Sequence, residues 1–373
     1  MYSLQDLLSV MSEADASDLY VSVGAFPMLK ISGEVYPIEK EQLTVDNLEN
    51  LKTEMLNEEQ LAEYQTNKEL DYTLSLAGVG RFRVNFFRQR GTDSFVVRQI
   101  VSTIKTLSEL NLPPILAELA LKERGLVLVV GSTGSGKSTT LAAMINHRNA
   151  NKSGHILTLE DPIEFLHPHK KSLVNQREVG HDTLSFNRAL KSALREAPSV
   201  LLVGEIRDRE AMESALNFSE TGHLVFSTLH ATNTSQTIDR ILSFYDRSEQ
   251  DLAQMQLSQN LLAIVAQRLI PMENGKLTAA LEILVSTARI KDLIQKGSID
   301  LLPVAIKSGA SESMQLFDQA LYTLYKEKKI SEMTAIDSAD HPTDLKLMIS
   351  STEQREPSQE INLLDDDNES HED

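Results

Sequence analysis

Residues 131–138, GSTGSGKS, place three glycines, a lysine and a serine in the order G-x-x-x-x-G-K-[ST]. This pattern is typical of a loop that binds the phosphate chain of a nucleotide. The glycines let successive backbone N–H groups turn toward phosphate oxygens, and the lysine reaches the outer phosphates. The serine hydroxyl is a ligand for Mg²⁺. We therefore predict that ATP and Mg²⁺ bind here, through Ser132, Thr133, Gly134, Ser135, Gly136, Lys137, Ser138 and Thr139.

Two acidic segments follow at the ends of apolar runs, where a magnesium-dependent reaction needs carboxylates. SVLLVGEIRD places Glu205 directly after a buried run, and LTLEDPIEF places Glu160, Asp161 and Glu164 after another. The carboxyl end of a strand beside the phosphate loop is where such sheets carry out their chemistry. One of the LTLEDPIEF carboxylates is therefore a candidate general base for water. A solvated acidic turn without a chemical role is the alternative for that segment.

The segment ETGHLVFSTLHATN has His223 and His230 at the two ends of an apolar strand. A single histidine is more often an ordinary core or surface residue, but a pair at the ends of one strand suggests a shared role. Metal binding is disfavoured because no third ligand is suitably spaced. We predict that the pair senses the terminal phosphate, directly or through a neighbouring group.

Residues 115–285 must position these groups, and their pattern predicts an α/β fold. Short β-branched runs that are apolar on both faces, typical of central parallel strands, alternate with helical stretches. The predicted strands are 126–130, 155–159, 199–203 and 223–228, and the predicted helices include 137–149 and 186–195. The phosphate loop joins the first strand to the first helix, so the positive end of that helix faces the phosphates.

The rest of the chain divides into four further regions. Residues 1–100 predict a small α+β domain that contains several short strands and one longer helix at 43–66. Residues 101–114 are predicted to be a linker, residues 286–349 a helical region and residues 350–373 a disordered acidic tail. A few apolar residues inside the tail leave open that it docks on a basic partner surface.

Composition and charge exclude several classes of protein. The chain has 373 residues, no cysteine and a net charge of −18 at pH 7. The lack of cysteine excludes a disulfide scaffold and any cysteine-bound zinc or iron–sulfur site. Acidic surfaces bind nucleic acid poorly, so we expect no nucleic-acid partner. With no basic leader and no apolar run of about 20 residues, a cytoplasmic protein without direct membrane insertion is expected.

The segments GSTGSGKS, EDPIE, VGEIRD and TGHLVFSTLHA occur in an order that is far more specific than any single motif. Together they resemble the Walker A, Asp-box, atypical Walker B and His-box motifs of the bacterial type II/IV secretion ATPases. The compact N-terminal region and REVGHDTLSFNRALKSALREAPSVLLVGEIRD resemble the PilT/PilU family of type IV pilus retraction ATPases within that superfamily. The resemblance implies a RecA-like P-loop core, a PAS-like N-terminal domain and a homo-hexameric ring.

The resemblance also implies roles for individual residues. The catalytic glutamate of the family corresponds to Glu164, which would polarise the attacking water. Its Walker B glutamate corresponds to Glu205, which together with Ser138 would hold Mg²⁺. His223 and His230 correspond to the His-box pair, with His223 expected among the nucleotide-binding residues and His230 among the catalytic ones.

Members of this family also supply arginines from the N-terminal domain to the nucleotide site. GRFRVNFFRQRGTDSFVVRQI offers Arg81, Arg83 and Arg98, of which we favour Arg83 and Arg98 as catalytic residues. Solvated charges at a strand edge are the alternative. An arginine on a mobile domain stabilises the transition state only when the domains close, so hydrolysis would be coupled to domain movement.

The C-terminal region separates the subtypes of the family. STARIKDLIQKG departs from the AIRNLIR-like segment of the stand-alone retraction motors, whereas ESMQLFDQALYTLYKEKKIS and the acidic tail are more similar to the accessory, PilU-like ATPases. The resemblance implies two partners, a PilT-type retraction ATPase and a PilC-like platform protein of the pilus base at the inner membrane. A stand-alone retraction motor and a mainly structural adaptor ring with slow ATP turnover are the alternatives.

Overall fold

The structure is a computed structural model that describes residues 3–31, 33–38, 41–76, 78–100 and 103–353. The chain folds into two compact units, one of residues 1–128 with 137–229 and the other of residues 129–136 with the chain from 230 onward. The division therefore falls at the phosphate loop, which is counted with the second unit. Within the described ranges, every helix is too short or too polar to cross a membrane.

The first unit begins with three helices and six strands. These are α1 (Leu4–Glu13), β1 (Asp18–Ser22), β2 (Met28–Ile31), β3 (Glu34–Pro37), α2 (Val45–Met55), α3 (Glu58–Asn67), β4 (Glu69–Leu76), β5 (Gly80–Gln89) and β6 (Thr92–Ile100). The strands form one antiparallel sheet in the order β3-β2-β1-β6-β5-β4. The N-terminal sheet, as we call it, has the α+β composition that the sequence predicts.

The single helix predicted over residues 43–66 is wrong, because the structure has two helices there. Helix α2 ends at Met55, and the next residue adopts an extended conformation. Asn57 then begins α3, since its side chain accepts a hydrogen bond from the backbone N–H of Gln60 at 2.9 Å. An asparagine that caps a new helix offers the backbone an alternative to continuing the old one.

Aromatic packing fixes the face of the N-terminal sheet on which its arginines lie. Phe82 and Phe86 of β5 and Phe95 of β6 are fully buried, and the rings of Phe86 and Phe95 lie 4.8 Å apart. Successive residues of a strand point to opposite faces. Arg81 and Arg83 therefore project from the face opposite the aromatic core.

The rest of the first unit alternates helices with parallel strands. The elements are α4 (Ile115–Ala120), β7 (Gly125–Val130), α5 (Lys137–Asn151), β8 (Gly154–Glu160), β9 (Ser172–Glu178), α6 (Phe186–Glu196), β10 (Val200–Val203), α7 (Arg209–Glu220) and β11 (Leu224–Leu229). The strand order is β7-β11-β10-β8-β9, and β10 pairs in parallel with both β11 and β8. Every residue of β7, β10 and β11 is buried. The predicted α/β fold with central parallel strands is confirmed.

The second unit contains an antiparallel hairpin and a helical region. Its elements are α8 (Thr234–Leu242), α9 (Gln250–Asn260), β12 (Leu261–Pro271), β13 (Leu277–Val285), α10 (Ala288–Gln295), α11 (Leu302–Ser308), α12 (Phe317–Lys326), α13 (Glu332–Ser338) and α14 (Pro342–Glu353), with two short 3-10 turns. Helix α14 continues to Glu353, past the boundary that the sequence predicts at residue 349. The remainder of the predicted tail, 354–373, and residues 101–102 of the predicted linker lie outside the described residues.

Candidate functional site

The phosphate loop is held in a conformation that only glycine allows at its two ends. Gly131 and Gly136 have φ of 152° and 86°. A Cβ atom on Gly131 would lie 2.5 Å from the carbonyl oxygen of Gln267, and one on Gly136 would lie 2.8 Å from Gln267 Nε2. The same Nε2 donates a hydrogen bond of 2.8 Å to the Ser135 carbonyl. Gln267 of β12 therefore braces the loop, a role that was not predicted from the sequence.

Ser135 leaves one polar atom of the loop without a partner. The residue is buried, and its Oγ atom has no hydrogen-bond partner within the described residues. A buried hydroxyl without a partner is unfavourable unless a ligand or water completes it. The predicted phosphate chain is a suitable acceptor, so this atom supports a bound nucleotide at the loop.

The loop continues directly into α5, which begins at Lys137. Burial lowers the pKa of Lys137, while the carboxylates of Glu205 and Glu164 act on it in the opposite direction. The structure thus brings together three of the residues that the sequence predicts for the site. In such a group the cation can bind phosphate, and a carboxylate can orient the attacking water.

Glu205 follows β10 by two residues and pairs with a residue of its own motif. Arg207 Nε donates a hydrogen bond of 2.6 Å to Glu205 Oε2, and Arg207 Nη1 lies 3.7 Å from Asp161 Oδ2. The hydrogen bond to Glu205 raises the pKa of Arg207 further. Sequence reasoning missed Arg207, although VGEIRD places it two residues after the glutamate.

Glu160, the last residue of β8, is half-buried, whereas Glu164 is exposed. Its carboxylate accepts hydrogen bonds from Thr158 Oγ1 at 2.7 Å and from Gln176 Nε2 at 3.2 Å. Although part of the side chain meets solvent, enclosure by protein raises the pKa of Glu160. It lines a small cavity together with Ser138, Phe165, His167 and Thr228. The peptide bond between Asp161 and Pro162 is cis.

The two favoured arginines pair with carboxylates of the N-terminal sheet. Arg83 Nη2 lies 4.0 Å from Asp71 Oδ2, and Arg98 Nε lies 2.8 Å from Asp18 Oδ1. Neither pair includes a residue of the Lys137 group. Arg81 instead reaches the end of β9, and the structure gives this third arginine the contact with the parallel strands.

The two histidines lie at opposite ends of β11. His223 precedes the strand, and its Nδ1 lies 3.0 Å from the Phe218 carbonyl at the end of α7. A six-residue strand is roughly 20 Å long, so His223 is far from the carboxyl ends where Glu205 lies. The place of His223 among the nucleotide-binding residues stays a prediction. His230 directly follows β11 and is exposed.

The described residues were compared with what the predicted Mg²⁺ site requires. Among the residues that the structure describes, no three His, Asp or Glu side chains form a group that could hold an ion. Mg²⁺ usually takes only one or two protein ligands and completes its shell with water and substrate phosphates. That mode of binding needs no more than the two oxygen donors predicted from the sequence, Ser138 and Glu205, whose role stays a prediction.

Comparison with known proteins gives a consistent result. Residues 5–332 match the family described as type II/IV secretion system protein. The chain is 46% identical over 346 residues to the type IV pilus ATPase PilU of Pseudomonas aeruginosa, covering 92% of this chain and 91% of that protein. It is 42% identical over 339 residues to the type IV pilus retractation ATPase PilT of the same organism, covering 91% of this chain and 98% of the relative.

Solved structures agree with the sequence comparison. The crystal structure of the pilus retraction motor PilT with bound ADP matches at a TM-score of 0.87 and 39% identity, covering 93% of this chain and 100% of that chain. At this identity and coverage, the RecA-like P-loop fold predicted from the sequence is confirmed.

Proposed function

The chain belongs to the family of type II/IV secretion system proteins and is an ATPase of pilus retraction and twitching motility, and we propose that it acts as a homo-hexameric, PilU-like motor. The observation that carries this proposal is the convergence of Lys137, Glu164 and Glu205. They lie where the phosphate loop, with its unpartnered Ser135 hydroxyl, enters α5. One cation and two carboxylates beside a phosphate loop are the groups that ATP hydrolysis requires.

ATP is the substrate, and the loop would hold its phosphates by backbone N–H groups. Three positive-φ glycines, Gly131, Gly134 and Gly136, and the Gln267 brace set the backbone conformation of the loop. The residues that we assign to binding are Ser132, Thr133, Gly134, Ser135, Gly136, Lys137 and Thr139. A loop that already has this conformation before ATP arrives loses little free energy to ordering on binding.

We assign Ser138 and Glu205 to Mg²⁺. The ion, when bound, neutralises charge on the phosphates. Glu205 is mostly enclosed, with its side chain 18% exposed, whereas that of its partner Arg207 is 61% exposed. An exposed arginine can move away at little cost, which leaves the Glu205 carboxylate available.

Glu164 is assigned to the attacking water. Its carboxylate is exposed and close enough to Lys137 to act on the lysine electrostatically. A carboxylate next to the phosphate-binding lysine can accept a hydrogen bond from water and orient it. Glu160, with its hydrogen bonds already made inside the fold, is less available for that task.

Arg83 and Arg98 are assigned to the closed state of the site. Both arginine side chains are substantially exposed, at 45% and 67%, so each can leave its carboxylate without first being uncovered. When the N-terminal sheet approaches bound ATP, either arginine would trade its carboxylate for phosphate oxygens. His230 is assigned to the same step, and His223 keeps its predicted place among the nucleotide-binding residues.

The partners and location follow from the same family. We propose a PilT-type retraction ATPase and a PilC-like platform protein as partners, at the cytoplasmic side of the inner membrane. The acidic chain is not proposed to bind nucleic acid.

Two variants test the motor against a mainly structural adaptor ring. Lys137→Ala and Glu164→Ala are expected to abolish ATP hydrolysis and retraction force in cells while the oligomer persists by size-exclusion chromatography. Retraction assistance that survives both changes would overturn the motor and support the adaptor ring.

A second experiment separates the accessory role from a stand-alone motor. Retraction is measured in cells that lack this chain, the PilT-type ATPase, or both. Retraction by this chain alone would overturn the accessory assignment.

A further inference from the structure

One buried carboxylate joins the N-terminal sheet to the segment that carries Glu164. Glu178, the last residue of β9, accepts a hydrogen bond of 2.7 Å from Thr73 Oγ1 of β4 through its Oε1 atom. Its Oε2 atom accepts from Arg81 Nη2 of β5 at 3.3 Å and from the backbone N–H of Ile163 at 3.2 Å. The Glu178 side chain is only 9% exposed.

The contact with Ile163 matters because this residue directly precedes Glu164 in the chain. The other end of the same segment is held as well, since the Val179 N–H donates to the Glu160 carbonyl at 2.9 Å. Residues 160–164 are therefore held near both ends by Glu178, the last residue of β9, and by Val179, which follows it. A shift of Glu178 would move the backbone that aims the Glu164 carboxylate.

The charges show that this carboxylate depends on the N-terminal sheet. Arg81 is the cation paired with Glu178, and its own side chain is 20% exposed. The buried Nε atom of Arg81 has no hydrogen-bond partner among the residues described. A buried carboxylate that loses its cation and a hydroxyl donor must find new donors or move toward water.

We propose that Glu178 is a positioning residue that transmits the location of the N-terminal sheet to Glu164. While Arg81 and Thr73 hold Glu178, the Ile163 N–H is fixed and Glu164 is aimed at the water. When the sheet withdraws, Glu178 keeps only the backbone donor, and the segment loosens. This inference rests on the proposed function, which gives Glu164 its role, and it places Glu178 outside the nucleotide contacts.

The test compares variants of the full chain that cut the contacts one at a time. Arg81→Met removes the cation, Thr73→Val removes the hydroxyl donor and Glu178→Gln removes the charge. Arg177→Met is the matched control, because the neighbouring Arg177 pairs with Glu196 at 2.7 Å and is similarly enclosed.

Three measurements are made on each variant. They are kcat and KM for ATP hydrolysis, binding of a fluorescent ATP analogue, and amide hydrogen exchange of the peptide covering residues 160–166. Arg81→Met and Glu178→Gln are expected to lower kcat by about tenfold to a hundredfold, with KM and binding changed by less than about twofold. Exchange in 160–166 is expected to accelerate, and Arg81→Lys to restore most of the rate. Thr73→Val should also lower kcat and accelerate exchange. Arg177→Met should change neither kcat nor the exchange of residues 160–166.

Two results would overturn the proposal. One is wild-type kcat and wild-type exchange in both Arg81→Met and Glu178→Gln. The other is an equal loss in Arg177→Met, because it would mean general loosening of β9. If Glu164→Gln hydrolyses ATP at the wild-type rate, the proposed role of Glu164 fails instead. Amide hydrogen exchange of residues 160–166 then decides alone. Faster exchange in Arg81→Met supports the positioning role of Glu178, and unchanged exchange overturns it.

Discussion

Arg83 and Arg98 lie directly opposite each other on the paired strands β5 and β6. Two cations that face each other across neighbouring strands repel. Each is balanced by a carboxylate of the same sheet, Arg83 by Asp71 and Arg98 by Asp18. The N-terminal sheet therefore keeps a pair of positive charges whose partners can be exchanged for phosphate oxygens when a nucleotide comes close.

Replacing Arg98 should lower the rate of catalysis and leave the chain folded. Its side chain is 67% exposed, but that of Asp18 is only 3% exposed and keeps the hydrogen bond from Ser17 Oγ at 2.9 Å, so losing the pair should cost about 1 to 3 kcal/mol of the free energy of unfolding. We expect Arg98→Gln to lower kcat by at least about tenfold, because transition-state charge loses a donor. Steady-state ATP hydrolysis and urea denaturation measure the two effects.

The control for Arg98 lies on the same sheet. Arg88 pairs with Asp93 on the other side of the strands and is not assigned to the site. Arg88→Gln is expected to keep the wild-type kcat. Normal turnover in an Arg83→Gln, Arg98→Gln double variant would remove both arginines from the proposed mechanism.

A single methyl group on the phosphate loop should abolish nucleotide binding. A Cβ atom on Gly131 would lie 2.5 Å from the Gln267 carbonyl oxygen, and this backbone atom cannot turn away as a side chain can. Gly131→Ala is therefore expected to distort the loop and to lose binding of a fluorescent ATP analogue. Titration of the analogue measures this directly.

Gly275→Ala separates the effect of the loop from simple backbone strain. Gly275 also has a positive φ, 77°, but a Cβ atom there would meet nothing within 4 Å. The substitution should cost about 1 kcal/mol of unfolding free energy and leave nucleotide affinity unchanged. Full affinity in Gly131→Ala would contradict the importance of the Gln267 contact.

The sequence predicts the buried strands well because they carry a simple pattern. Every residue of β7, β10 and β11 is buried, so each strand appears as an apolar run with boundaries correct to one or two residues. Strand β9 was not predicted, since its sequence SLVNQRE mixes exposed polar residues with buried ones. Such an edge strand forms because it pairs with its neighbour β8, and this pairing cannot be recognised from the pattern of its own residues.

Site residues divide in the same way. The loop and Glu205 are recognisable because their chemistry depends on spacing along the chain. Gln267 and Glu178 act across more than a hundred residues, on Ser135 and Thr73, so no local pattern could reveal them. The role of His223 cannot be decided from its motif, which states which residues flank a strand but does not state which end of the strand faces the ligand.

Glu205→Gln should separate metal use from ATP binding. The change removes a charge from a mostly enclosed group while keeping its size and one acceptor oxygen. We expect kcat to fall by about a hundredfold. The Mg²⁺ concentration for half-maximal rate should rise, because a neutral amide oxygen binds Mg²⁺ more weakly than a carboxylate does. Affinity for the ATP analogue without Mg²⁺ should stay within about twofold. An unchanged Mg²⁺ requirement would contradict the role of Glu205.

His167 should make the folded chain less stable in mild acid. Burial lowers the pKa of His167 to about 4, whereas a histidine in an unfolded chain titrates near about 6.5. Between these values the unfolded chain binds more protons than the folded chain. The free energy of unfolding therefore decreases as the pH falls from about 6.5 to 4, by up to roughly 3 kcal/mol from this group.

Replacing His167 isolates this contribution from that of Glu160, which has the opposite sign. The raised pKa of Glu160 makes the folded chain bind the extra proton, so its contribution is lost as the pH rises. His167→Gln is expected to flatten the fall of the urea midpoint between pH 6.5 and 4. Glutamine does not titrate, so the variant lacks the contribution of His167 to the pH dependence. A wild-type slope in His167→Gln would therefore mean that the acid sensitivity originates elsewhere in the chain.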